Sequence, residues 1–493
     1  MSNHWKDDII AGFVVFLIAL PLSIGIALAA GAPASAGILS AIIGGIIGTL
    51  ITGTHITISG PAAGLIVVIS GSIISLGGGD LLLGFQRTLA ATIIAGVLQI
   101  LVGVFKLGKL TFLAPSSVVH GMLAAIGTII VVKQLPVILG VTPTSKSITG
   151  LVVEFPGMIT NTDLPIFLIG GLCILLLIFW KYVPAKLGKV IPGPLLVVAV
   201  GLGLSYFLDV EHPHNVNWLE RLFHVGPEFL VHVPESIKDL FIFPKFDIAF
   251  TLKGLLSVAT IFIVGTLESL LSAYAIDKLD PYKRVSDLDY DIIGKGITNI
   301  CCGALGAYPI ITEIVRSSAN ITNGAKTKWS NFFHGIFILL FVALLPDLIN
   351  HIPLSALAAI LLLVGYNLAH PKHFVEVWRH GKDQFLIFVL TLVVTLVEDL
   401  LIGIFVGVLA NLTLHLIRGV KLNELFSPKI LIENSAEEIV LSLNSNVVFL
   451  GYLKVKSAIE GIDKTSTVKI ETNGYFIDFT IKELLKDSFT IKK

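Results

Sequence analysis

Apolar runs long enough to cross a bilayer recur from residue 9 to residue 417 and leave this chain few ways to fold. A hydrocarbon core of about 30 Å is spanned by roughly 20 apolar residues in a helix. In the first part of the chain such runs lie near 9–30, 36–51, 61–76, 88–104, 118–139, 164–180 and 191–208. A second set lies near 255–276, 292–305, 316–323, 332–345, 354–368, 385–397 and 401–417. That makes about fourteen segments, two of them short for a full crossing. Charged residues are 14% of the chain and hydrophobic ones 54%, where a soluble protein has roughly a quarter charged residues to cover its surface. The expected fold is an all-α polytopic membrane protein. Its first run reads as a retained helix, because Asp7 and Asp8 stand before it and it exceeds a signal-peptide core in length.

Loop charge gives an orientation. With the N-terminus inside, the cytoplasmic loops hold Lys106 and Lys109, then Lys181, Lys186 and Lys189, then Lys278, Lys283 and Arg284. They continue with Lys326 and Lys328, Lys372, Arg379 and Lys382, and finally Arg418 and Lys421. The opposite loops 31–33, 76–80, 305–308 and 398–400 are nearly free of cations; two more, 140–163 and 209–253, are longer. This is the positive-inside pattern, expected of an inner (plasma) membrane protein with both termini cytoplasmic. A net charge of zero and the lack of a basic, aromatic-laced patch argue against nucleic acid as a partner. Cys173 and the vicinal Cys301-Cys302 sit in apolar spans and read as small core residues, neither a disulfide framework nor a metal site.

The polar stretch 209–253 separates seven runs from seven, and an odd number per half makes the halves opposite in topology. The third run of each half is interrupted. The first interruption is Ile58-Ser59-Gly60-Pro61-Ala62-Ala63-Gly64; the second runs from Tyr308-Pro309 through Thr312 and Glu313 to Arg316-Ser317-Ser318-Ala319-Asn320. Paired broken helices in two inverted halves are the sequence pointer to a transporter's binding site. Pro61 suits the first turn of a helix, and Ala62, Ala63 and Gly64 then offer backbone N–H groups that no bulky side chain covers. Helix N-termini favour anions. Arg316 is a cation at hydrocarbon depth, so it should face a cavity. It could grip an oxyanion through its forked donors or pair with Glu313 or Glu268. Glu268, in an otherwise apolar span with Ser272 four residues on, could carry a proton or hold a sodium ion together with Thr312. Lys133 and Lys295 read as snorkelling or scaffold residues, Glu398 and Asp399 as a solvated turn, and His55 and His334 carry no assignment. No Walker A pattern, HExxH or nucleophile elbow is present, so no enzyme activity and no cofactor beyond a coupling Na+ or H+ is expected.

After residue 417 the composition turns polar. Strands are expected at 439–443, 447–450 and 467–471, and helices at 453–459 and from 481, making a small α/β module.

Together these residues make residues 9–417 resemble the SulP family of sulfate-permease-type anion transporters. The likeness rests on Ala19-Leu20-Pro21, Ile58-Ser59-Gly60-Pro61, Lys133-Gln134-Leu135-Pro136 and Glu268-Ser269-Leu270-Leu271-Ser272-Ala273 followed by Asp277. It extends to Ile314-Val315-Arg316-Ser317-Ser318-Ala319-Asn320 with Gly324-Ala325-Lys326-Thr327. The stretch on through Trp329-Ser330-Asn331-Phe332-Phe333-His334-Gly335 most resembles bacterial members associated with bicarbonate transport. The resemblance implies a seven-plus-seven inverted repeat divided into core and gate domains, elevator-like movement of one against the other, and a homodimer in the lipid bilayer. It places a transporter domain at 1–425, with halves at about 9–208 and 255–418. The tail, 426–493, resembles a shortened STAS domain, with Phe476-Ile477-Asp478-Phe479-Thr480 at its Asp-Ser/Thr turn. Phe479 replaces the usual small polar residue there, so phosphorylation at that turn is not expected. The function expected is secondary transport of a small inorganic oxyanion, bicarbonate or sulfate, coupled to sodium or protons. Ser59, Ala62, Ala63, Gly64, Arg316, Ser317 and Ser318 would hold the anion, and Glu268, Ser272 and Thr312 the coupling ion. The rivals are a nucleobase permease of the same fold, which should need paired acidic residues, and an anion channel or membrane sensor.

Overall fold

The computed structural model describes residues 4–109, 115–145, 147–180, 182–184, 192–218, 220–234, 240–434, 439–459, 467–471, 474–488 and 490–492. Lys181, Lys186, Lys189 and the start of the run at 191 lie outside them. Among the described residues a helix stands at each of the expected runs. In the first half these are α1 (Trp5–Ala29), α2 (Ala34–Leu50), α3 (Leu65–Gly77), α4 (Leu81–Val104), α5 (Ser116–Leu139), α6 (Leu164–Trp180) and α7 (Gly193–Phe207). In the second they are α8 (Leu252–Leu279), α9 (Leu288–Leu305), α10 (Ile314–Thr322), α11 (Trp329–Leu344), α12 (Leu354–Leu368), α13 (Lys382–Val397) and α14 (Leu400–Ile417). Among the described residues six stretches are long and apolar enough to cross a membrane, or seven if the sharply bent pair Ile148–Thr160 and α6 counts as one. Helices α2, α3, α7 and α11 are apolar but shorter.

Two expectations, at Pro61 and at 447–450, are corrected, and other segments carry structure that the sequence did not specify. The segment Ile58–Pro61 is a strand, β1, so Pro61 ends a strand and does not open a helix. Its counterpart Ile310–Glu313 is also a strand, β4. The loops at 140–163 and 209–253 contain, respectively, the helix Ile148–Thr160 and a hairpin, β2 (His214–Trp218) with β3 (Arg221–Val225). Residues 447–450 form no strand; Val447 makes an isolated bridge to Ile477, and a 3-10 turn follows at Phe449–Gly451.

Two compact units make up the chain: Met1–Gly108 with Ile126–Leu368, and Lys109–Ala125 with Ala369–Lys493. In the first unit the helix contacts come in related pairs. Helix α4 crosses α9 where a Cβ on Gly96 would lie 2.7 Å from the Gly296 carbonyl oxygen, so only glycine allows the approach. Helix α2 crosses α11 the same way, with a Cβ on Gly45 2.6 Å from the Gly335 α-carbon. Likewise α1 packs on α10 and α11, while α8 packs on α3 and α4. Exchanging α1 with α8, α2 with α9, α3 with α10 and α4 with α11 turns each contact into its partner. That exchange is the inverted repeat expressed as packing, and close small-residue crossings are how membrane helices gain contact without a hydrophobic driving force.

In the second unit a four-stranded sheet has the order β5 (Ile430–Asn434), β6 (Ile439–Leu443), β7 (Thr467–Glu471) and β8 (Thr490–Lys492). The first pair is antiparallel and the other two are parallel. Helices Tyr452–Ile459 and Phe479–Ser488 accompany it. Asp478, at the turn singled out in the sequence, is fully buried and meets the buried His415 of α14 at 3.1 Å.

Candidate functional site

Helices α3 and α10 have 13 and 9 residues, roughly 20 Å and 14 Å at 1.5 Å per residue. Neither spans the hydrocarbon alone, and the strands before them supply the missing length. β1 and β4 pair antiparallel, Ile58 with Glu313 through Pro61 with Ile310. A lone two-stranded ribbon exposes N–H and C=O groups on both edges, which lipid cannot satisfy. Helix side chains satisfy them here. The Ile58 N–H donates to Ser317 Oγ at 2.8 Å and the Ser59 N–H to Asn331 Oδ1 at 3.2 Å. The Ile310 N–H donates to Asn299 Oδ1 at 2.7 Å, and the Asn299 amide returns a bond to the Ile310 carbonyl at 3.1 Å. The Thr312 N–H donates to Ser269 Oγ at 3.3 Å, and Asn320 donates to the Ile56 carbonyl at 2.9 Å. Both half-helices are thereby fixed with their N-termini at the ends of one ribbon. At the start of α3 the Leu65 and Ile66 N–H groups donate back to the Ala62 and Ala63 carbonyls at 3.2 and 3.1 Å.

The charged groups around this ribbon come from the second half. Arg316 is completely buried. Its Nη2 donates to the Pro61 carbonyl at 3.1 Å, and the guanidinium lies so close over Gly60 that a Cβ there would sit 2.6 Å from Nη1. Its Nε and Nη1 have no hydrogen-bond partner, and it forms no ion pair among the described residues. The pairing with Glu313 or Glu268 left open by the sequence is therefore not made, although Glu313 is near enough to attract it electrostatically. Glu268 is buried on α8, and both its oxygens lack a partner. Its carboxylate covers Gly64, where any Cβ would overlap it. Glu313 stands at the N-cap position of α10 but makes no side-chain cap bond; its Oε1 is buried and unpartnered, and it repels Glu268. Such a gathering of unsatisfied charged atoms is rare in a folded interior.

The other expected residues divide. Ala63 and Gly64 are partly accessible and Ala62 is buried, all at the entrance to α3. Ser318 is half-buried in the second turn of α10. Ser272 lies one helical turn beyond Glu268 on the same face of α8. Three hydroxyls are spent on the framework. Ser59 Oγ accepts from the Lys295 ammonium at 2.7 Å, Ser317 Oγ accepts from Ile58, and Thr312 accepts from Ser269 Oγ at 3.4 Å. Lys295 does not snorkel: it is buried, bonded to Ser59 and paired with Asp291 at 3.4 Å. Sequence reasoning did not assign Asn299, Asn331 and Ser269 their roles. Amide and hydroxyl side chains within apolar spans were the available signal.

The model of the sulfate permease family matches residues 5–391. This chain belongs to the sulfate permease family, a family of membrane anion transporters. The Bacillus subtilis (strain 168) protein YvdB is 28% identical over 399 residues, covering 79% of this chain and 70% of its own length. The bicarbonate transporter BicA of Picosynechococcus sp. is 27% identical over 367 residues, covering 74% of this chain and 62% of that protein. The solved transmembrane domain of a cyanobacterial bicarbonate transporter BicA shares the fold with a TM-score of 0.66 at 22% identity, covering 83% of this chain and 98% of that one. SLC26A9 shares it with a TM-score of 0.71 at 15% identity, over 99% of this chain and 83% of that one.

Proposed function

We propose that this chain is a secondary active transporter of a small inorganic oxyanion, bicarbonate or sulfate. The observation that carries this reading is Arg316, buried without a carboxylate partner beside two helix N-termini. Its free donors, the amides at Ala62, Ala63 and Gly64, and Ser318 would receive the oxyanion, with Ser59 and Ser317 holding the ribbon behind it. Among the relatives, one of Picosynechococcus sp. is named a bicarbonate transporter and one of Arabidopsis thaliana a sulfate transporter, which supports this substrate class.

Coupling follows from Glu268. Its carboxylate occupies the positive end of α3 and competes with a substrate anion for the same field. Sodium or a proton on Glu268, with Ser272 and Thr312 beside it, would cancel that competition, and by linkage the anion would raise affinity for the cation equally. The ribbon joins both half-helices, so α3 and α10 would move as one body, as an elevator mechanism requires. We assign 1–425 to the transporter domain and 426–493 to a STAS-like cytoplasmic module. Both termini would face the cytoplasm of an inner-membrane homodimer, in keeping with the loop cations. The test is uptake of labelled bicarbonate and sulfate into proteoliposomes under imposed sodium or pH gradients. Accumulation of either anion against its gradient supports the proposal; purely downhill, unsaturable flux of both overturns it.

A further inference from the structure

One more cation inside the membrane region, besides Arg316 and Lys295, belongs to none of this machinery. Lys133, on α5, reaches into a cavity of about 440 Å³ bounded by the C-terminal end of α1, the middle of α3, α5 and the start of α12. Ser70, which also lines it, is five residues beyond the first residue of α3, roughly 8 Å along the helix axis. The cavity is therefore displaced from the ribbon and Arg316. The Lys133 ammonium donates to Ser70 Oγ at 2.5 Å and makes no ion pair among the described residues. A lysine within a membrane-spanning helix is costly unless it pairs or faces a polar cavity. This one faces a cavity whose walls are mostly apolar, among them Leu28, Ile73, Leu354 and Leu357, with Gln134, Ser70 and Ser145 as the neighbouring polar groups. Because Ser70 accepts from the lysine, its own O–H remains free to donate.

We propose that this cavity binds a small amphipathic organic anion, its carboxylate held by Lys133 and Ser70 and its hydrocarbon body against α1, α3 and α12. The volume suits such a ligand, and a few convergent polar groups in an apolar pocket are the usual make-up of a small-molecule site. A bare inorganic oxyanion fits it poorly. It would give up its hydration for one ammonium and a few neutral polar side chains, and the apolar walls would offer it nothing in return. An amphipathic carboxylate sheds water from its apolar part on entry, which favours binding.

The inference does not rest on the transport reading, and its test measures binding to the purified full chain in nanodiscs. Labelled 4-phenylbutyrate should bind saturably. Lys133→Met should weaken it at least about tenfold, as expected when a buried ion pair loses one partner, and Lys133→Arg should keep most of the affinity. Leu357→Trp, which fills the cavity and leaves the lysine in place, should abolish binding. Arg316→Gln should leave it unchanged, and the uncharged alcohol 4-phenylbutanol should not compete. Unaltered affinity in both Lys133→Met and Leu357→Trp, equal competition by the alcohol, or no saturable binding would overturn the proposal.

Discussion

The two half-helix entrances share one plan and are furnished in opposite ways. The first, from β1 into α3, is Gly60-Pro61-Ala62-Ala63-Gly64, almost bare backbone; the second, from β4 into α10, carries Thr312, Glu313 and Arg316. Symmetry of the repeat places both at one ribbon, and asymmetry of the side chains decides what the place can do. The second half's charges lie in the hollows of the first: Arg316 over Gly60 and Glu268 over Gly64. A glycine in the first half is thus a mould for a charge from the second, and neither half holds a complete site.

The largest effect should come from removing the cation. Arg316→Gln is expected to lower apparent anion affinity by about 2–5 kcal/mol, roughly thirtyfold or more, with membrane insertion and size-exclusion profile unchanged. Initial uptake rates across substrate concentration measure it. Uptake within twofold of the parent would remove Arg316 from the site and with it the asymmetry argued above.

Filling the moulds comes next, and it sets the two hollows against each other. Gly64→Ala places a methyl group on the Glu268 carboxylate and should cost more than tenfold in uptake, or about 1.4 kcal/mol. Gly60→Ala meets only the tip of a long side chain at 2.6 Å and should be milder. Adding Glu268→Ala to Gly64→Ala should recover anion binding, measured as anion-induced thermal protection. If the double variant is no better than Gly64→Ala, the glycine serves the backbone and not the carboxylate.

Glu268→Gln tests the coupling half of the comparison. Removing the charge at α3 should leave anion binding intact or slightly tighter and abolish its dependence on sodium or pH. Binding that still responds to the cation as in the parent would shift that role elsewhere, with Glu313 the next carboxylate at hand.

Much of this was legible in the sequence because membrane folding obeys few rules. Long apolar runs fixed the helices, and the broken runs marked the ribbon, since irregular backbone survives at that depth only inside protein. Pro61 misled. Its fixed φ suits a helix start and a strand end equally, and the choice was made by Ile310, about 250 residues away, which pairs with it. The hydroxyl roles were equally out of reach. Ser317 and Ser318 are neighbours of identical chemistry, yet helical geometry turns one onto β1 and leaves the other half-buried beyond it. Only the tertiary register of β1 against α10 tells them apart.

That pair supplies the smallest and most discriminating effect. Ser317→Ala removes the acceptor of the Ile58 N–H, stranding a buried donor at a cost of about 1–3 kcal/mol. The loss falls on the ribbon, so the detergent melting temperature should drop by a few degrees while the uptake KM stays within about twofold. Ser318→Ala strands no backbone group: the Thr322 hydroxyl donates to its carbonyl, which the substitution leaves in place, and its own hydroxyl makes no hydrogen bond among the described residues. Stability should hold and KM should rise about threefold to tenfold, the share of one hydrogen bond to an anion. Two adjacent serines would then split cleanly into one that builds the entrance and one that serves the ion. If Ser317→Ala raises KM and spares stability, the ribbon does not depend on that bond, and the second entrance offers the anion two hydroxyls in place of one.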